Sequence, residues 1–301
     1  MFYFVAFVRV LGLAQASDIN AISLKFSDRI VWLLSEIIKN PINPHFTHYF
    51  FESLALMIRS SSSFPETFNL LESKVVPHLY NILQSDQSDL FPYSFQLMAV
   101  IVESNYVNEF PDYTKSLIPV VLQPALWSIS CNVPGLIRFL QACFVKNPEL
   151  FSSPQVVESL ISIFRILVNS KLNDIHGFSL ISALFGILPR ELIERYIRPV
   201  LMLILSRIQS NKTQKLSSQF LQFICFLIIE SKMPFGAKFA IQSLNQIQPN
   251  IYIMLFKSLF IPIITRIQEP SDKKLVILGI SEMLMELQGL IQGSPDGSAL
   301  W

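Results

Sequence analysis

Three constellations in this 301-residue sequence carry side chains capable of chemistry. His45, His48 and Glu52 stand at i, i+3 and i+7, which puts them on one face of a helix and within reach of a divalent metal. A zinc site takes a fourth ligand or a second cluster, and the sequence supplies neither, so packing at a helix start is the plainer reading and no metal is expected. Ser170, Asp174 and His176 have the residue types of a hydrolytic triad. No nucleophile elbow, Walker loop or dinucleotide fingerprint accompanies them, so no catalysis and no cofactor are expected. Cys131, Cys143 and Cys225 lack C-x-x-C spacing, and an odd number without pattern fits reduced, buried thiols.

Charged residues make up only 15 % of the chain, so the places where they gather stand out. Glu191, Glu194, Arg195, Arg198 and Arg207 share one predicted helix, while Lys171, Asp174, Lys212 and Lys215 fall at turns between predicted helices. The candidate partner-binding set is Lys171, Asp174, Arg195, Arg198, Arg207, Lys212 and Lys215, with an ordinary solvated face as the alternative. A formal net charge of +1 and the absence of any Lys/Arg-rich run remove the case for nucleic-acid binding.

The elements that must position these residues are helical. Hydrophobic residues reach 51 %, with 9 glycines and 18 prolines, a balance that favours proline-punctuated helices over a β-rich fold. A mean hydropathy of +0.45 makes membrane insertion a reading to test. A spanning helix needs roughly 20 consecutive apolar residues. The longest runs, 220–229 broken by Gln222 and 200–205 between Arg198 and Arg207, are too short. The apolar start of the chain is interrupted by Arg9 and lacks a basic n-region, so it is a poor signal peptide. No membrane insertion is expected, and a soluble, intracellular protein is.

Apolar periodicity and cap residues predict helices over 2–14, 18–39, 45–60, 65–83, 89–103, 113–127, 134–145, 154–168, 174–188, 190–208, 212–230, 235–247, 250–267 and 272–290. Asn132 and Pro134 are expected to open one of these, as cap and first-turn residue. The first helix of each pair starts near residues 2, 44, 89, 132, 173 and 212. Those intervals, about 42, 45, 43, 41 and 39 residues, match a HEAT-type helix-pair repeat. A second ruler agrees: Pro77, Pro119, Pro199 and Pro262 each sit inside a predicted second helix. An internal proline costs on the order of 3 kcal/mol in an isolated helix, yet stacked neighbours can hold the resulting bend. The fold class expected is all-α: a HEAT-repeat α-solenoid, a right-handed superhelical stack of about six to seven helix pairs over 1–292, with a disordered tail over 293–301. Because neither end offers a polar capping face, the array is expected to be a piece of a longer superhelix.

The segments 43–52, 91–98, 122–127, 132–142, 173–178 and 212–215 together resemble the middle-to-late repeats of the exportin-2 family of the importin-β superfamily, the importin-α re-exporters. The resemblance runs in order from about Ser35 to Glu286. It implies a transport receptor, found in nucleus and cytoplasm, that grips importin-α when the Ran GTPase is in its GTP form. In such receptors second helices line the concave surface, which is where the helix carrying Arg195 to Arg207 would lie. The resemblance covers neither the family's amino-terminal repeats, which form its main Ran-binding arch, nor its last carboxy-terminal ones. A non-catalytic HEAT scaffold, or a truncated product without transport activity, is the alternative.

Overall fold

In a computed structural model, the described residues are 15–41, 43–85, 87–106, 109–229 and 235–291. The predicted helix over 2–14 and the tail over 293–301 lie outside them. The described residues contain helices and no strand. They form two compact units, Met1–Pro148 and Glu149–Trp301.

Unit 1 holds α1 (Ala16–Lys39), α2 (Pro44–Ser60), α3 (Pro65–Gln84), α4 (Phe91–Ser104), α5 (Asp112–Val121) and α6 (Val133–Lys146). Prolines open α2, α3, α4 and α6, where a missing N–H costs nothing. Asn43 caps α2, its side chain accepting from the Phe46 N–H at 3.1 Å. Asn132 does not act as the expected cap. Its backbone already lies in helical conformation and its side chain accepts no helix N–H. The helix expected over 113–127 stops at Val121, because Pro124 forces Gln123 into extended geometry. A 3-10 turn, Pro124–Ser128, follows, and the buried Trp127 indole donates to the Val121 carbonyl at 2.8 Å, sealing the helix end.

Unit 2 holds α7 (Pro154–Asn169), α8 (Asp174–Ile187), α9 (Arg190–Ser210), α10 (Gln214–Ile229), α11 (Gly236–Asn245), α12 (Ile251–Leu255), α13 (Ile261–Ile264) and α14 (Pro270–Ile291). Pro77, Pro119 and Pro199 lie inside α3, α5 and α9, as expected. Pro262 behaves differently. The helix expected over 250–267 is split by a π turn, Phe256–Phe260, before α13. Pro262 cannot donate to the carbonyl of Ser258, four residues back, and the wider turn accommodates that loss. The freed Ser258 carbonyl accepts instead from Lys212 Nζ at 3.1 Å.

The repeat shows directly in the contacts. First helices pack on first helices (α2 on α4, α4 on α6; α8 on α10, α10 on α14), and second helices on second (α1 on α3; α7 on α9). Tyr113 reaches Glu72 across 41 residues, Tyr196 reaches Glu158 across 38, and Arg207 reaches Val168 across 39. These partners advance together along α7 and α9, so the two helices run parallel, as equivalent helices of successive pairs must. In the last repeat the separation lengthens: Gln222 meets Asp272 across 50 residues and Arg266 meets Gln214 across 52. The extra helix α11 accounts for the difference.

The cores are aromatic. Phe164, Phe178, Phe223 and Phe185 form a chain of ring contacts at 5.9–6.2 Å that joins α7 to the first helices α8 and α10 of unit 2. Two glycines permit the closest helix approaches. A Cβ on Gly135 would stand 2.9 Å from the Pro92 carbonyl oxygen, and one on Gly279 would stand 2.6 Å from both Cβ and Sγ of Cys225.

Candidate protein-docking surface

Most of the charged candidates lie where helices of unit 2 begin or end, with Arg195 and Arg198 inside α9. After α7, the turn 170–173 is held by two bonds: the Asn173 N–H donates to Ser170 Oγ at 3.3 Å and the Asp174 N–H to the Ser170 carbonyl at 3.0 Å. Asp174 then opens α8 with its side chain only 2 % exposed. Its carboxylate accepts from the Ile175 N–H at 2.8 Å and faces Lys215 Nζ at 3.3 Å. An anionic carboxylate at a helix start meets the positive end of the helix dipole, and the ammonium of Lys215 supplies the second compensation its burial requires. Thr213 Oγ1 caps α10 through the Leu216 N–H at 3.1 Å, which places Lys215 in the first turn, facing Asp174. The starts of α8 and α10, one repeat apart, are thereby tied together.

His176 sits one turn into this junction. Burial pushes its pKa below the usual imidazole value, the Lys215 ammonium pushes it further the same way, and Asp174 opposes both. Its imidazole is neutral at physiological pH. Ser170 Oγ accepts from the Asn173 N–H and Asp174 engages Ile175 and Lys215, and among the described residues no hydrogen bond joins His176 to Ser170 or Asp174.

Arg207 departs from the expected surface position. It is 4 % exposed, its Nε donating to the Val168 carbonyl at 3.0 Å and its Nη1 to the Asn211 carbonyl at 2.8 Å. Both carbonyls belong to helix ends, whose acceptors lack intrahelical partners. The guanidinium therefore serves as a shared cap for α7 and α9. Asp174 is likewise buried, so neither side chain is presented to solvent.

The remaining candidates are exposed. Lys171 and Arg198 make no ion pair among the described residues. Arg195 lies over the Tyr196 ring at 5.2 Å, with Nη2 3.9 Å from Glu158 Oε1, an oxygen that also accepts from Tyr196 Oη at 3.0 Å. Lys212 extends to the Ser258 carbonyl. The structure thus joins Asp174 with Lys215, and sets Arg195 with Glu158 about 18 Å along α9 from Arg207 by helical rise. Glu158, Tyr196 and Ser258 escaped the sequence reading. A usable signal existed, since each lies about one repeat from its partner.

In unit 1, His48 Nε2 lies 3.8 Å from Glu52 Oε2 on the solvent side of α2, and His45 is exposed one turn earlier. Among the described residues no group of three or more His, Cys, Asp or Glu side chains is placed to hold a metal. Cys143 and Cys225 are buried, and burial raises both thiols, Cys225 to about 12. Cys131 is exposed, contrary to expectation, because it lies in the turn before α6. No helix among the described residues is long and apolar enough to cross a membrane.

Comparison with known proteins extends these findings. The CAS/CSE protein C-terminus family matches residues 2–299, a wider span than the resemblance read from the sequence. The importin-alpha re-exporter of Schizosaccharomyces pombe is 32 % identical over 280 residues, covering 93 % of this chain and 29 % of that protein. Exportin-2 of Xenopus laevis is 34 % identical over 284 residues, again 93 % of this chain and 29 % of the relative. The chain thus spans less than a third of the curated relatives it matches. The solved structure of the exportin Cse1 in its cargo-free, cytoplasmic state superposes with a TM-score of 0.83 at 23 % identity, covering 98 % of this chain and 31 % of that one. That likeness carries the fold, the all-α HEAT-repeat solenoid class expected from the helix-pair spacing. With a match along nearly its whole length, the chain belongs to the CAS/CSE family, in the region that forms the C-terminal part of its members.

Proposed function

We propose that this chain is the receptor segment of an importin-α re-exporter, contacting importin-α together with Ran in its GTP form and passing between nucleus and cytoplasm. The observation that carries this reading is the match to importin-α re-exporters and exportins at 32–34 % identity across 93 % of the chain. Helix-pair stacks suit such a role, because each pair adds a rigid rung to an extended protein-binding surface. Relatives of this chain are named for transport, and the Ser170 and Asp174 side chains are engaged in holding the start of α8.

Within that reading, the exposed cations Lys171, Arg195, Arg198, Lys212 and Lys215 form the partner-facing set and call for carboxylates on the partner. Two are poor probes. Reversing Lys215 would strand the buried Asp174, and reversing Lys212 would strand the Ser258 carbonyl. Lys171 and Arg198 have no such duty.

The test is retention of the chain on immobilised importin-α, with and without Ran-GTP. Ran-GTP-dependent retention is expected, weakened several-fold in the Lys171→Glu/Arg198→Glu double variant and by added salt, as for charges at an interface rim. Absence of retention under both conditions would overturn the receptor reading. Retention that is unchanged in the double variant would remove these residues from the surface.

A further inference from the structure

In unit 1 the first helices α2 and α4 leave a groove of about 310 Å³ between them, with Arg138 of α6 at its margin. The floor is apolar, formed by Phe51, Leu97 and Val100, and Phe51 stacks on Tyr93 at 4.8 Å between centroids. The margins are charged and differ from end to end. At the middle of α2, one turn beyond His48, Glu52 presents a carboxylate, 47 % exposed, with the His48 Nε2 3.8 Å from its Oε2. Toward the helix ends stands the exposed guanidinium of Arg59, which makes no ion pair among the described residues. Arg138, which also lines the groove, already holds Glu103 through two bonds of 2.9 and 2.8 Å. The groove therefore carries an acid at Glu52 and a cation two turns on at Arg59, over an apolar floor.

We propose that this groove docks a short extended peptide segment of a protein partner, with a cation, an apolar side chain and a carboxylate at positions i, i+2 and i+4. The cation meets Glu52, the apolar side chain enters between Phe51 and Val100, and the carboxylate pairs with Arg59. Alternate residues of an extended chain share one face, and four residues span about 13 Å. Glu52 and Arg59 are seven residues apart on one helix, about 10 Å along its axis, so the two spans agree once side-chain reach is counted. The volume stands at the lower limit of ligand sites, roughly 300 Å³, which suits one or two side chains and is too small for a helix. Helices offer no free backbone edge for a peptide to pair with, so selectivity must come from Glu52, Arg59 and the apolar floor. This surface lies in the other unit from the cations assigned to importin-α and Ran, and it uses none of them.

The test is fluorescence anisotropy of labelled Gly-Lys-Ala-Leu-Ala-Glu-Gly titrated with the whole chain. Saturable binding is expected. It should weaken at least about fivefold in Arg59→Glu, the loss of one ion pair plus like-charge repulsion. A peptide with Glu replaced by Lys, which presents a cation to Arg59 in either chain direction, should lose at least as much, and so should one with Leu replaced by Ala. Arg59→Gln, which keeps the helix-forming stem, should weaken binding with an unchanged thermal transition, separating docking from folding. No saturable binding, equal affinity for the Glu-to-Lys peptide, or full affinity in both Arg59 variants would each overturn the proposal.

Discussion

Arg207 offers the sharpest check on how charge is used in this chain. The substitution is Arg207→Met, which keeps most of the aliphatic volume and removes the guanidinium. Two hydrogen bonds from a charged donor are lost, to the Val168 carbonyl at 3.0 Å and the Asn211 carbonyl at 2.8 Å. Bonds to charged groups contribute about 1.5–3 kcal/mol each, so the gross loss is about 3–6 kcal/mol. Removing a buried charge returns part of that, because its desolvation is no longer incurred. A net destabilisation of about 2–4 kcal/mol follows from those two contributions. In a unit of this size each kcal/mol moves the midpoint by about 2–4 °C, giving a fall of about 4–16 °C for the transition that includes α7 and α9. The reference variant is Arg198→Met on the same helix, exposed and expected within about 0.5 kcal/mol of the parent. Urea unfolding followed by far-UV circular dichroism measures both. If Arg207→Met unfolds at the same urea concentration as Arg198→Met, the capping role is refuted and Arg207 returns to the list of surface contacts.

Other expected outcomes bear on separate parts of the structure. Gly279→Ala places a methyl 2.6 Å from Cys225 Cβ, so the chain should lose about 1–3 kcal/mol by overpacking, with partial recovery in Gly279→Ala/Cys225→Gly; a neutral single variant would contradict the close approach of α10 and α14. His176 has a folded-state pKa below its unfolded value of about 6.5, so its contribution to stability is complete above that pH and is lost as pH falls below it. Comparing urea midpoints at several pH values should show a shallower acid-side decline in His176→Gln, and identical slopes would count against a buried neutral imidazole. Alkylation with iodoacetamide should modify Cys131 alone in the folded chain and all three cysteines after denaturation, read by intact mass; rapid labelling of Cys143 or Cys225 would contradict their burial.

Much of this architecture is legible along the chain because it repeats. Proline and turn residues recur about every 40 positions, and a helix pair unable to bury its own apolar face must stack on the next. Hence Pro44, Pro65 and Pro154 mark helix starts correctly, and Pro77, Pro119 and Pro199 lie within helices whose neighbours hold them. Where the reading differs, a single local competitor prevailed. Pro124 outweighed the apolar run up to Trp127, and Pro262 turned a continuous helix into one broken by a π turn. Asn132 has the right type for a cap, but its backbone is already helical, so the side chain has no N–H to accept.

The sequence by itself determined the class of fold, the repeat period and the family, since all three rest on the order of apolar, turn and motif residues. Which charges face a partner was decided only by tertiary structure. Lys171 and Arg207 look alike as isolated cations in a sparsely charged chain, yet one is exposed and the other is enclosed between two helix ends. Arg207 is held there by backbone carbonyls, a group every residue carries, so its partners leave no trace in residue type. Asp174 shows the same limit from the other side. Its burial depends on Lys215, one repeat away, and becomes visible only when α8 and α10 are set side by side.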